Sequence, residues 1–137
     1  LAEVRAKVAG DPFLAKAVTL LGEKKRTELE AYYNSADYFL SGSHKEGSGY
    51  ALLEAMSCGV VPIVTDIPSF GYLTGRGEIG GLWKAGRAEQ LASVLREVTA
   101  RPVEAESMRV RRRFEAHFSF PAMGKAAAAV YRAVIQR

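Results

Sequence analysis

The sequence predicts an α/β domain, Rossmann-like, with a parallel sheet between two layers of helices. Short apolar runs alternate with amphipathic helical stretches along the chain, the pattern of strand–helix–strand units. The run Val60–Thr65 (VVPIVT) is near-continuously apolar, as parallel strands buried on both faces tend to be. A length of 137 residues fits one compact domain, so residues 1–137 are expected to form a single unit.

Each element has a local reason. Residues 2–9 read as a helix with Gly10-Asp11-Pro12 as its stop signal. Ala17–Leu21 (AVTLL) reads as a buried strand closed by Gly22. Thr27 opens a helix reaching about Ser35, with Glu30 three residues on as capping-box partner. Asp37–Ser41 is the next strand. Tyr50–Cys58 follows as a helix capped by Gly59, and Val60–Thr65 as a strand. Pro68–Leu73 reads as a short helix and Gly81–Trp83 as a short last strand. Arg87–Thr99 is strongly amphipathic, with Leu91, Val94, Leu95 and Val98 on one stripe. Val103–Phe118 and Pro121–Gln136 close the chain as two helices.

Composition narrows the function. No apolar run approaches the ~18–20 residues of a membrane-spanning helix, and the charged start, LAEVRAKVAGD, does not suit a signal peptide. The single Cys58 cannot form an internal disulfide, and one Cys with two His is too few for a structural zinc site. A reducing, cytosolic compartment is the expectation. The net charge of +4 suits a phosphate-bearing ligand or an anionic surface. Arg109, Arg111, Arg112 and Arg113 concentrate part of it, and they read first as a solvated helix face. Neither a helix-turn-helix nor an aromatic platform accompanies them, so nucleic acid is not an expected partner.

The informative segment is Ser43–Glu54, SHKEGSGYALLE, between a strand and a helix. Gly47 and Gly49 permit positive φ angles and close approach of backbone to a ligand. The first amides of the helix, around Gly49–Ala51, lack intrahelical partners and, with the helix dipole, suit a phosphate. Glu46 and Glu54 flank them. Helical side chains lean toward the N-terminus, so Glu54 can point back toward the phosphate and accept from both hydroxyls of a ribose. The same residues also fit a plain glycine loop with Glu54 facing solvent. A dinucleotide fingerprint fits worse. Leu52 stands where its third small residue belongs, and Gly47 lies about six residues beyond the strand.

At these residues the sequence resembles the C-terminal, donor-binding domain of retaining GT-B glycosyltransferases, family 4 (glycosyl transferases group 1). The pattern is carried by Ser43-His44-Lys45-Glu46-Gly47-Ser48-Gly49-Tyr50 and by Glu54-Ala55-Met56-Ser57-Cys58-Gly59-Val60-Val61-Pro62-Ile63-Val64. It extends to Leu21-Gly22, Tyr32…Ala36-Asp37, Thr65-Asp66-Ile67-Pro68, Gly80-Gly81-Leu82 and Phe118-Ser119-Phe120. The resemblance implies Glu54 as the ribose ligand and Glu46 as the residue at the donor sugar and anomeric centre. It implies Gly47, Ser48, Gly49 and Tyr50 as the cradle of sugar and diphosphate, and the Gly22–Lys25 turn, with Gly22 and Lys24, as the base contact. The implied activity is transfer of a sugar from a UDP-, GDP- or ADP-sugar with retention, with no metal and no cofactor besides that donor.

The departures are Gly42 for the usual proline before Ser43, and Ser48 where Phe is frequent. Family members also carry an N-terminal acceptor domain and an earlier strand, so the chain reads as a fragment starting one strand late and inactive alone. An exposed sheet edge is a further expectation. Because many members act on lipid-linked acceptors, a peripheral position at the inner face of a membrane is expected with it. Two alternatives stand beside transfer: a GT-B epimerase or phosphorylase, and a non-catalytic nucleotide-binding or membrane-docking module using Arg109–Arg113.

Overall fold

The computed structural model describes residues 2–136. The chain runs α1 (Ala2–Gly10), α2 (Pro12–Ala17), α3 (Arg26–Asn34), β1 (Tyr38–Ser41), α4 (Tyr50–Ser57) and β2 (Val61–Thr65). It continues through α5 (Pro68–Thr74), β3 (Gly81–Trp83), α6 (Ala88–Thr99), α7 (Val103–His117) and α8 (Phe120–Ile135). The strands form one parallel sheet in the order β1-β2-β3, with Tyr38 opposite Val61 and Ile63 opposite Gly81. Parallel neighbours need crossovers. Here α4 carries the chain from β1 to β2, and α5 from β2 to β3. The α/β class and the parallel sheet are as the sequence predicts.

The central strand sits in the core for a simple reason. Helices α4, α5, α6 and α7 all pack against β2, and every one of its five residues is buried. Leu52, Ala55 and Met56 of α4 recur at helical spacing and turn the same face inward. Val98 and Val110 bring α6 and α7 onto the same cluster with Phe70, Leu73, Ile79 and Trp83. Gly81 is required where α6 meets β3, because a Cβ there would run into Val94 and Val98. No helix among the described residues is long and apolar enough to cross a membrane.

The structure departs from the sequence reading near the start. Ala17–Leu21 is not a strand: Ala17 ends α2, Val18 is extended, and residues 18–21 join no helix or sheet, with Leu21 49% exposed. Gly10-Asp11-Pro12 is both a stop and a start. The Asp11 carboxylate accepts from the amides of Phe13 and Leu14 at 2.8 and 3.1 Å, and Pro12 occupies the first helical position. That helix consumes the front of the apolar run. What remains has no ladder partner, and a lone strand gains no backbone bonds. The cap of helix α3 lies two residues earlier than expected: it is Lys25, not Thr27, and Glu28, not Glu30, closes the first turn by accepting from the Lys25 amide at 3.0 Å. The β1 edge faces no strand on its outer side among the described residues, and Leu40 there is 55% exposed.

Candidate functional site

The site lies at the carboxyl end of β1, where an open parallel sheet places ligands. The strand ends at Ser41, an irregular loop carries residues 42–48, and α4 begins behind Gly49. Gly49 is buried and left-handed, with φ +66°, and a Cβ there would lie 2.9 Å from Leu73 and 3.3 Å from Phe70. Only glycine turns the chain into the helix at this point. No side chain caps α4, so its first amides point into the loop unpaired, a ready anion site.

Glu46 is exposed, yet it is held. Ser43 Oγ donates to its Oε1 at 2.8 Å, and Ser69 Oγ from the first turn of α5 donates to its carbonyl at 3.4 Å. Buried Thr65 at the end of β2 fixes the same loop by donating to the Ser43 carbonyl at 2.5 Å. Gly47 and Ser48 are exposed, as is Tyr50 at 73%. Gly47, Ser48 and Tyr50 line a groove of about 670 Å³ whose other walls include Tyr72, Phe118 and Met123.

Glu54 sits on a different side of α4. Its half-exposed carboxylate lies 3.5 Å from the Arg26 guanidinium, and it lines a cavity of about 340 Å³ with Tyr33, Cys58 and Arg111. Burial first, and then the Glu54 carboxylate beside it, pushes the Tyr33 phenol above its ordinary value. Arg26 and Tyr33, seven residues apart, share one face of α3, the face turned toward α4. The turn ahead of α3 holds Gly22, exposed with φ +69°, and Lys24, whose ammonium lies 5.6 Å over the Tyr32 ring. Arg26, the first residue of α3, thus links that turn to Glu54. The Ser43–Glu46 bond joins two side chains within a loop rather than capping a helix, so the three-residue spacing alone gave no signal of it. The α3 partners of Glu54 followed from helical spacing only once α3 and α4 were known to pack.

The arginine cluster is largely spoken for. Arg109 binds Glu106 at 2.6 Å and the Glu78 carbonyl at 2.5 Å, and Arg111 pairs with Glu115 at 3.1 Å. Arg113 donates to the Leu73 and Tyr72 carbonyls at 2.6 and 3.0 Å, closing the C-terminal end of α5, and pairs with Glu78. Arg109 and Arg113, one turn apart on α7, thus converge on Glu78, while Arg111 pairs along α7 and Arg112 is exposed.

The chain is 36% identical over 97 residues to the GDP-mannose:cellobiosyl-diphosphopolyprenol alpha-mannosyltransferase of Komagataeibacter xylinus, covering 66% of this chain and 24% of that protein. It is 32% identical over 129 residues to the lipopolysaccharide core biosynthesis mannosyltransferase LpsB of Rhizobium meliloti (strain 1021), covering 90% of this chain and 36% of that one. The chain therefore spans between a quarter and about a third of the length of these relatives. Its fold matches sucrose-phosphate synthase from Thermosynechococcus elongatus with a TM-score of 0.79 at 24% identity, over 98% of this chain and 34% of that one. The family model described as glycosyl transferases group 1 matches residues 7–114. On this match the chain belongs to the glycosyl transferases group 1 family.

Proposed function

We propose that this chain is the donor-binding domain of a retaining, metal-independent glycosyltransferase, and that its donor is GDP-mannose. The observation that carries the reading is the uncapped N-terminus of α4 behind left-handed Gly49, with Glu46 on one side and Glu54 on the other. The diphosphate lies on the amides from Gly47 to Ala51, whose partial positive charge stabilises it most as it leaves. Glu54 accepts from the ribose hydroxyls, exchanging its exposed contact with Arg26 for them. Glu46 accepts from the sugar. The base lies along the Gly22–Lys25 turn, which Arg26 brings near Glu54. GDP-mannose is favoured because one relative's name states that donor and another's states mannosyl transfer.

In the reaction the carbon–oxygen bond between sugar and diphosphate breaks, and the electron pair leaves with the diphosphate. An acceptor oxygen bonds to the same carbon on the face being vacated, and its proton passes to the departing phosphate oxygen. The acceptor site belongs to a separate domain of the full enzyme. Amide resonance mapping tests the placement. Adding GDP should shift the amides of residues 47–51 and 54 most, and GDP-mannose should add shifts at Glu46. Shifts concentrated elsewhere, for instance on α7, would refute it.

A further inference from the structure

Glu46 sits in a loop without regular structure, and a free surface glutamate would sample several rotamers there. Its surroundings remove that freedom. Thr65, 0% exposed, donates to the Ser43 carbonyl at 2.5 Å and so ties the loop to the central strand. An ionised carboxylate only accepts, so the single hydroxyl proton of Ser43 goes to Glu46 Oε1 at 2.8 Å. The Ser41 hydroxyl, 3.3 Å from that of Ser43, must then be the donor of that pair. The result is a directed row, from Ser41 to Ser43 to Glu46, on a buried anchor. Ser69 holds the Glu46 backbone from α5.

We infer that Ser43 is a positioning residue for donor binding: it occupies Oε1 of Glu46 and leaves Oε2 presented to a sugar hydroxyl. The inference rests on the reading of Glu46 as the sugar contact. Holding the carboxylate in advance removes an ordering cost that binding would otherwise carry. It acts on the sugar half of the donor through the Glu46 side chain, whereas the diphosphate and ribose are held by the backbone amides of residues 47–51 and by Glu54.

The test compares GDP-mannose with GDP on the unaltered chain, Ser43→Ala, Ser43→Thr and Glu46→Gln, by calorimetry. Ser43→Ala should bind GDP-mannose about tenfold more weakly, as loss of one hydrogen bond to a charged group implies, while GDP affinity stays within about twofold. Ser43→Thr, which keeps the hydroxyl, should restore GDP-mannose binding. If Glu46→Gln weakens GDP-mannose selectively but Ser43→Ala changes neither ligand, or weakens both alike, the positioning role is overturned and the donor site stands. If Glu46→Gln does not change the difference between the two ligands, the sugar assignment itself falls. A ligand-free readout accompanies these: the Glu46 side-chain carboxyl carbon resonance should move in Ser43→Ala and return in Ser43→Thr. An unmoved resonance overturns the positioning role whatever the donor does.

Discussion

Replacing Gly49 by alanine isolates the residue that aims α4 at its ligand. Two costs add. A non-glycine residue held left-handed costs about 1–2 kcal/mol. The new methyl would lie 2.9 Å from Leu73 and 3.3 Å from Phe70. Both neighbours are buried, at 4% and 2% exposure, so neither side chain can swing into solvent, and overpacking of this kind costs about 1–3 kcal/mol. A loss of about 2–5 kcal/mol follows, a large part of the ~5–15 kcal/mol that holds a typical domain folded. With an unfolding entropy near 2.1 cal/mol/K per residue over 137 residues, the midpoint should drop by about 7–17 °C. Gly47, two positions away in the same loop, is the control. Its φ is not left-handed and a Cβ there would meet nothing within 4 Å, so Gly47→Ala should change stability by less than ~0.5 kcal/mol. Thermal and urea unfolding of the two variants checks this. Equal, small effects at both positions would refute the argument that the fold demands glycine at 49.

Two further predictions concern stability. The Tyr33 phenol is raised by burial and by Glu54, so the folded state holds that proton more tightly than the unfolded state. Its contribution is therefore fully present below the ordinary value of about 10 and is lost as pH rises through the higher folded value. Melting curves from pH 9 upward should fall more steeply for the native chain than for Tyr33→Phe; parallel curves would contradict the assignment. Glu106 is 7% exposed at its side chain and bound by Arg101 and Arg109, which are 33% and 48% exposed. Glu106→Gln leaves those arginines able to reach water and should cost about 1–2 kcal/mol, whereas Arg101→Met with Arg109→Met strands a buried carboxylate and should cost about 3–4 kcal/mol. Urea titration of both variants measures the order, and the reverse order would show that the carboxylate is hydrated.

How far the sequence reaches into this fold depends on where the information sits. All three strands and helices α4–α8 are marked locally, by glycine and proline at their ends and by periodic apolar residues between them. Residues 17–21 show the limit: AVTLL has strand composition, but pairing is decided by a neighbouring strand, and the capped turn at Asp11 takes its first residue into α2. The glycines and glutamates of the candidate site are legible because their spacing against one helix start is local. The residues that hold those glutamates are less so. Thr65 reaches Ser43 across 22 positions, Ser69 reaches Glu46 across 23, and Arg26 meets Glu54 only where α3 packs on α4. The arginine run shows the converse. Its clustering in sequence suggests a solvated face, while the helix pairs Arg111 with Glu115 and brings Arg109 and Arg113, one turn apart, onto Glu78.

The ribose assignment of Glu54 carries the functional reading, and calorimetric titration of the native chain and Glu54→Ala with GDP, UDP and ADP tests it most directly. The account predicts that GDP binds more tightly than UDP or ADP and that its affinity falls at least about tenfold in the variant, the loss expected when hydrogen bonds to a carboxylate are removed. GDP binding of equal strength in both proteins, or no preference for GDP, would contradict it.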